Sequence, residues 1–377
     1  MAPDAKTTEV DIIPPGMDHD SVYKRYKEQV PTNMDHTAPR RESLFSLPSS
    51  MKQAILPMLN DERDYIAAEL LVNISVVLIP LTIAMYVYPM HSVMVAFLVG
   101  RLLVFGARFF LTLHVTSHRK LFKDGFWPLN SYLEVVISPL MGMPPGFYYI
   151  HHVMMHHVEN NVFPYDVSST MPHQRDSYLS LLHYISKYFT HAVLYLPYYA
   201  LTKKRYKLFL YNMFFSFLYF GGGMKLYSMN PTFALWMVWI PFVVVGFVLM
   251  KGNFGQHLFV CPEDSFSNYR LAFNYINSPD NMITYNDGYH IIHHANSRLH
   301  WTEVPQYFED NIEKFANNDA FIFHGIDNDI VFSCVFGKDY EKLYNHWLQL
   351  TPTKRTLEEF KELCKKRLQP IHKTKSS

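Results

Sequence analysis

Histidines recur along this chain at spacings that suit metal binding. On a helix, residues at i, i+3 and i+4 lie on one face, and neutral imidazole is the commonest protein ligand of divalent transition metals. The residues so spaced are His114 and His118; His152, His156 and His157; Asn253 and His257; and His290, His293 and His294. One ion cannot bind so many imidazoles, so the simplest interpretation is two metals.

The residue types also limit the metal and its chemistry. Eight or nine imidazoles without a thiolate suit iron, although zinc and copper bind imidazole too. A structural zinc site needs only four ligands. The HExxH motif of zinc proteases is absent, because no glutamate lies between His114 and His118. Two redox metals beside a bilayer indicate oxygen chemistry on a lipid.

Two further histidines lie close to these clusters. His151 precedes His152, but only His152 has the i, i+4 spacing to His156. We therefore expect His152 to be the ligand and His151 to orient a ligand. His300 follows the last cluster by six residues, and it is open whether it is a ligand, an outer contact or a structural residue.

Composition favours an integral membrane protein over a soluble or nucleic-acid-binding one. The 377 residues carry a net charge of +1, and 16% of them are aromatic. The three cysteines, Cys261, Cys334 and Cys364, are far apart and form no CxxC pair, which gives neither a disulfide framework nor a thiolate metal site. No glycine-rich nucleotide motif is present, and the N-terminus lacks the apolar core of a cleavable signal peptide.

Four apolar stretches are close to the roughly 20 residues needed to cross a bilayer. They are residues 66–88, 91–113, 208–224 and 232–250. Four prolines interrupt Trp127–Gly146, which we interpret as re-entrant or interfacial. Arg101 and Arg108, at i, i+7 in the second stretch, should share a face, and an ion pair with Glu69 or snorkelling would explain them. Residues 1–65 form a flexible or loosely docked arm, in which Ser49–Asp64 is expected to be a short amphipathic helix.

The predicted fold is all-α, with four transmembrane helices and a cytosolic helical cap around a histidine-rich di-metal site. Its domains are the arm (1–65), the membrane domain (66–305) and the C-terminal cap and tail (306–377). The chain crosses twice between the second cluster and Asn253, so the clusters can meet on one side. The distribution of Lys and Arg places that side and both termini in the cytosol. Lys373 and Lys375 resemble a dilysine retrieval signal of endoplasmic reticulum membrane proteins.

The clusters resemble the three histidine boxes of the integral-membrane fatty acid desaturases, and the resemblance covers roughly residues 66–305. These boxes are HxxxH at His114, HxxxHH at His152 and HxxHH at His290. Asn253 and His257 resemble an extra ligand pair of acyl-CoA desaturases. The third box begins with His290, whereas front-end desaturases commonly have glutamine there. Related hydroxylases, ketolases and alkane monooxygenases share the boxes.

The resemblance implies that all ten residues of the boxes and the extra pair bind two iron ions, Asn253 either directly or through a water. The centre would use O2 to introduce a C=C bond into a fatty acyl chain, carried as acyl-CoA or acyl-lipid. No His-Pro-Gly-Gly haem motif is present, so electrons would come from a separate donor such as cytochrome b5. The tunnel would draw on the third and fourth spans and on aromatics near Phe147–Tyr149.

Two alternative functions accompany this hypothesis, and the role of one basic run is also open. A membrane di-iron hydroxylase or monooxygenase would use the same centre, but Leu113 stands before His114 where some hydroxylases have a Glu-x-x-x-His pattern. A non-catalytic lipid- or metal-binding protein would be expected to lack box residues, and none is missing. The basic run Lys203–Lys207 would either dock an acidic electron donor or contact lipid headgroups.

Overall fold

The N-terminal arm packs against the cap more closely than the sequence predicts. The computed structural model describes residues 16–36 and 44–372, without the side chains of residues 190–192. Helix α1 (His19–Gln29) begins at Asp18, whose carboxylate accepts a hydrogen bond from the Ser21 amide, as N-cap residues do. Its Val22 and Tyr26 are fully buried. Residues 16–36 are therefore docked, whereas the rest of the arm before residue 44 and the dilysine-like Lys373 and Lys375 lie outside the described residues.

One buried carboxylate joins this arm to the third histidine cluster. Asp35 is 1% exposed, and its Oδ2 accepts hydrogen bonds from the Asn277 amide at 2.6 Å, the Tyr289 hydroxyl at 2.8 Å and Asn281 Nδ2 at 3.1 Å. Tyr289 directly precedes His290. The arm thus helps to fix the loop that enters the cluster.

Only the first part of the predicted amphipathic stretch forms an α-helix. Helix α2 covers Ser49–Ile55, and single 3-10 turns follow at Leu56–Met58 and Glu62–Asp64. The residues of α2 are mostly exposed, which is compatible with a position on a membrane surface.

Helices α3 (Tyr65–Val87) and α4 (His91–His118) contain the first two predicted spans. Both belong to a set of three helices that are long and apolar enough to cross a membrane among the described residues. Helix α3 continues through Pro80 and ends just before Pro89, because the residue preceding a proline disfavours the helical conformation. Helix α4 runs without a break into His114 and His118.

A π-helical turn at Leu102–Gly106 interrupts the regular phase of α4. The extra residue in such a turn rotates everything after it, so Arg101 and Arg108 do not keep the shared face that their i, i+7 spacing predicts. Arg101 is buried and donates a hydrogen bond to the Leu140 carbonyl. The carboxylate of Glu69 accepts hydrogen bonds from the arm and from its own helix. Within the described chain, the Arg101–Glu69 ion pair considered above is therefore not formed.

Two short helical segments follow α4. Helix α5 covers residues 127–140 and is too short to be a candidate span. Helix α6 covers residues 147–159 and contains a second π-helical turn, at His152–His156. Gly146 precedes α6 with a φ of +70°, and a Cβ there would lie 2.1 Å from the Tyr211 ring. Glycine is therefore required where the helix that carries the second cluster begins.

Three long helices, α7 (Tyr178–Thr202), α8 (Tyr206–Met229) and α9 (Pro231–Gln256), follow α6. Helix α9 contains the predicted fourth span and is the third member of the set of three. Helix α8 contains the predicted third span and, at 24 residues, is about 36 Å long. Its glycines and Lys225 reduce its hydropathy, and it is not in that set. The count of four spans stays a prediction.

The sequence predicts an entirely helical cap, but the cap also contains a small β-sheet. The described residues are 67% helical, but strands β1 (Phe273–Ile276) and β2 (Phe321–His324) pair in parallel, with Phe273 opposite Phe321. The cap helices are α10 (His290–Ala295), α11 (Val304–Asp310), α12 (Ile312–Asn317), α13 (Asn328–Gly337), α14 (Tyr340–His346) and α15 (Leu357–Leu368). Apolar runs of only four residues carry too little periodicity to be assigned from sequence.

An aromatic core fixes the end of α9 against this sheet. The ring of Phe259 lies 5.7 Å from that of Phe273 and 4.8 Å from that of Phe321, at the separations that aromatic pairs prefer. All three side chains are buried. This packing places His257, two residues earlier, beside the cap.

Candidate metal centre

Four segments bring the predicted ligands together. The C-terminal turns of α4 carry His114 and His118, and α6 carries the second cluster. The end of α9 carries the Asn253/His257 pair, and α10 carries the third cluster. The backbone of α10 is held on β1, since the Ile291 amide donates to Asn274 Oδ1 at 2.8 Å.

The first group of histidines draws one or two members from each box. His114, His118, His152 and His293 have ligand nitrogens that all lie within 4.8 Å of one another. The Nε2 atoms of His114 and His293 are 2.8 Å apart, and those of His152 and His293 are 3.3 Å apart. His157 adjoins this group, with its Nε2 3.1 Å from that of His152 and 2.8 Å from that of His293.

The second group lies beside the first and draws on the second box, the third box and the extra Asn253/His257 pair. His156, His257 and His294 also have ligand nitrogens within 4.8 Å of one another. His290 adjoins it, with its Nε2 3.3 Å from that of His257. The rings of His157 and His294 are stacked at 4.8 Å between centroids, so the two groups are in contact.

The π-helical turn in α6 determines which histidine joins which group. In a π-helix residue i+5 lies over residue i, and this brings His157 closer to His152 than His156 is, with ring centroids 4.6 and 5.7 Å from that of His152. His156 then faces His257, with ring centroids 5.1 Å apart. The sequence predicted a shared face for His152 and His156; the structure divides them between the two groups.

The residues present fit metal ions. The Nε2 atoms of His118, His156 and His294 are buried and have no hydrogen-bond partner in the described part of the chain, which is costly unless something else binds them. Burial, and then the neighbouring histidines, lower the pKa values of His293 and His294 well below the usual value of a histidine. The imidazoles are thus held in the neutral form that binds metal.

Outer contacts orient the rings of the second group. The Nδ1 atom of His156 donates to Asp166 Oδ2 at 2.6 Å, and that of His257 donates to the Leu271 carbonyl at 3.0 Å. The Nδ1 atom of His294 lies 3.1 Å from Asn160 Oδ1. Each contact leaves Nε2 for a metal, the usual arrangement of metal-binding histidines.

Sequence reasoning did not identify these outer residues, and no local pattern marks them. Asp166 lies ten residues beyond His156 and is fully buried. Burial alone would raise the pKa of Asp166, but its interactions with His156 lower it to about 2. In the first group, Asp287 Oδ1 lies 3.5 Å from His114 Nδ1.

Three candidates lie apart from the two groups. Asn253 donates its amide hydrogens to the Tyr184 hydroxyl at 2.7 Å and the Ser168 carbonyl at 3.3 Å, so its role as a ligand stays a prediction. His151 is buried outside both groups, and its Nε2 has no hydrogen-bond partner among the described residues. His300 hydrogen-bonds to Asp64 and Thr302, away from the groups.

Comparison with known proteins identifies the class. The profile of the fatty acid desaturase family matches residues 89–325, which is more than half of the chain and includes every box. The protein therefore belongs to the fatty acid desaturase family, whose members carry out desaturase or hydroxylase-type chemistry at a membrane di-iron centre. Its three apolar helices and this family together indicate an integral membrane protein. No curated protein and no solved structure matches the chain.

Proposed function

We propose that this protein is an O2-dependent desaturase that introduces a C=C bond into a fatty acyl chain at a di-iron centre. The observation that carries the proposal is that His114 and His152, both of the first group, line a largely apolar cavity between α4 and α9. A methylene chain in this cavity would lie against the metal centre. The family match supports the reaction class.

The histidines and the cavity walls have separate roles. His114, His118, His152, His157 and His293 would hold one iron; His156, His257, His290 and His294 would hold the other, with Asn253 beside them. When bound, the two irons supply the oxidising power that removes a hydrogen from each of two neighbouring methylenes while O2 is reduced to water. The protein orients the chain, excludes water and keeps the ligand rings in place.

The walls of the cavity differ from those predicted. Phe147 and Tyr148 line it, as expected, and so do residues of the fourth span. The other wall is the second span, α4, and no lining residue comes from α8. The third span was therefore wrongly assigned to the tunnel, because a sequence does not show which helices are neighbours.

A hydroxylase or monooxygenase on a lipid or alkyl substrate is the second candidate. It would use the same ligands and the same cavity, and the family includes both chemistries. Leu113 before His114 favours the desaturase, since some hydroxylases have a glutamate in their first box.

The setting of the reaction also follows from the charges. We propose the cytosolic face of the endoplasmic reticulum for the centre and both termini, and the distribution of Lys and Arg supports the cytosolic side. Lys203 pairs with Glu159 at 2.7 Å, and Arg205 donates to the Met154 carbonyl at 3.0 Å, so both brace α6. Lys204 and Lys207 are exposed. We propose that these two lysines attract an acidic electron donor such as cytochrome b5.

Mass spectrometry of acyl chains from host cells that express the protein tests this proposal. Cells with the wild-type chain should gain a double bond that cells with His293→Ala lack. His372→Ala is the matched control, because His372 is exposed and distant in sequence from the boxes, and it should behave as wild type. A new hydroxyl group would establish the second candidate, and a double bond in the His293→Ala cells would refute the site.

A further inference from the structure

The cavity beside the metal centre begins where α4 and α9 separate. Near their first residues the two helices are in contact, since Trp236 Nε1 donates to His91 Nδ1 at 2.9 Å and Arg101 Nη1 lies 3.6 Å from Met237 Sδ. The lining of the cavity starts at the next residue of α4, Leu102. Its volume is about 490 Å³, within the range of about 300–1,000 Å³ that ligand sites occupy. A slit between the two helices therefore leads toward the metal centre.

This slit opens on the outer surface of the two helices. Leu103 on α4 and Val248 on α9 line the cavity, and they are 82% and 52% exposed. Because α4 and α9 are both long and apolar enough to cross a membrane, their exposed apolar side chains meet lipid. Leu103 lies eleven residues before His114, about 16 Å along the helix. A hydrocarbon chain that enters from the bilayer can thus follow α4 to the metal centre.

Small residues leave the slit unfilled. Gly106, Ala107 and Gly252 line it, and a Cβ on Gly252 would have no atom of the described chain within 4 Å. Gly106 ends the π-helical turn of α4, and such turns are frequent at functional sites. Larger side chains at these positions would occupy the space through which a chain enters.

The cavity also reaches the surface of the cap, and that end is acidic. Asp280, Asp287, Asp327 and Asp329 line it, and no lysine or arginine is among the lining residues that the described chain contributes. The side chain of Asp329 is 76% exposed and pairs with Lys251 at 2.7 Å, so this end meets water. A CoA thioester would bring its phosphates to these carboxylates, and like charges placed together at an interface are costly.

We propose that the substrate is an acyl chain still esterified to a membrane lipid, and that it enters sideways through the slit between α4 and α9. The headgroup stays at the membrane surface, and the chain passes Leu103 to reach His114 and His152. The inference rests on the proposed function, since it takes the chain as the substrate of the metal centre. Two hydrogens leave the chain, and O2 with two electrons and two protons from the donor becomes two waters, so the ester bond is not consumed.

Photolabelling without turnover tests the route. The full-length, iron-loaded protein is placed in phosphatidylcholine liposomes in which some lipids carry a diazirine on one acyl chain, and labelled residues are mapped by mass spectrometry. Label should reach Phe110 and Val245, which line the cavity and are only 6% and 2% exposed, because a chain inside the slit touches them. Label confined to residues such as Val104, which is exposed and outside the lining, would overturn the route.

Gly252→Leu should close the slit. The variant should keep its iron and lose most of the label on Phe110. Gly100→Leu is the matched control, because a Cβ on Gly100 would also have no atom of the described chain within 4 Å, yet Gly100 lies outside the lining; it should label as wild type. If Gly252→Leu loses iron, Gly106→Leu takes its place, since a Cβ there would lie 3.9 Å from the nearest side chain. Undiminished label on Phe110 in a plugged variant would contradict the slit.

A lipid that cannot be converted into acyl-CoA decides the form of the substrate. Microsomes of expressing host cells, which contain the electron donors of the host, receive either a phosphatidylcholine with an ether-linked octadecyl chain or stearoyl-CoA with an isotope-labelled chain. The ether-linked chain should gain a double bond with the wild type and not with His293→Ala. A double bond in stearoyl-CoA, with the ether-linked chain unchanged, would overturn this proposal and leave the proposed desaturase intact. Loss of the reaction from host cells altogether would instead refute the proposed function.

Discussion

At the scale of single residues, the centre depends on side chains that do not bind metal. His156 presents Nε2 to the second group because Asp166 Oδ2 accepts from its Nδ1 at 2.6 Å. Asp166 is itself held by the amide and hydroxyl of Ser168 at 2.8 and 2.7 Å. Asp166 thus fixes the orientation of the His156 ring through Nδ1, and we expect removal of the carboxylate charge to weaken metal binding at Nε2.

Asp166→Asn should weaken iron binding at the second group by about 10- to 100-fold, the usual effect of changing such an outer partner. Asparagine is similar in shape, so the fold should persist. Iron retained during dialysis against a graded chelator measures the effect, with Asp124→Asn, at an aspartate on the surface, as the control. Equal retention in both variants would show that Asp166 does not act on His156.

At the scale of elements, the π-helical turn at His152–His156 determines which group each histidine joins, and the spacing of the histidines in the sequence does not. It gives the second box two faces in six residues, so that His152 and His157 meet the first group and His156 meets the second. A regular α-helix would place His152 and His156 on one face; here their rings still stack, at 5.7 Å between centroids, but their ligand nitrogens belong to different groups. Both groups therefore depend on one extra residue in α6.

Deletion of Met154 should convert this turn into a regular helix and rotate His156 and His157 by about 100°. We expect iron content to fall in both groups, whereas Met154→Ala, which keeps the backbone, should leave it near the wild-type value. Metal analysis of the purified variants by mass spectrometry measures this. Full iron content after the deletion would mean that the turn is not what separates the two groups.

The docked arm is the other element that sequence patterns did not reveal. Asp35→Ala would leave the buried donors of Asn277, Tyr289 and Asn281 without their acceptor, at a cost of about 1–3 kcal/mol for each one that finds no other. The variant should have a lower thermal unfolding midpoint and should lose iron more readily, since Tyr289 precedes His290. Asp20→Ala, at a fully exposed site in α1, should change neither, and a stable Asp35→Ala protein would contradict this role.

At the scale of the whole molecule, the sequence predicts some features well because they are local. The histidine clusters, the helices of three spans and the family all follow from spacing and hydropathy over short windows. The pairing of His293 with His114 and of His294 with His156 does not, because it depends on tertiary neighbours. The same holds for Asp35, which is 242 residues from Asn277, and for the cavity wall formed by α4.

The proposed di-iron centre requires that the two histidine groups hold one iron ion each. Iron per chain in the purified protein, measured together with Mössbauer spectra, tests this requirement most directly, beside His118→Ala in the first group and His257→Ala in the second. We expect about two irons that form a coupled pair in the wild type, and in each variant a loss that begins at the altered group. One iron or none, zinc in its place, or two irons retained in both variants would contradict the di-iron centre.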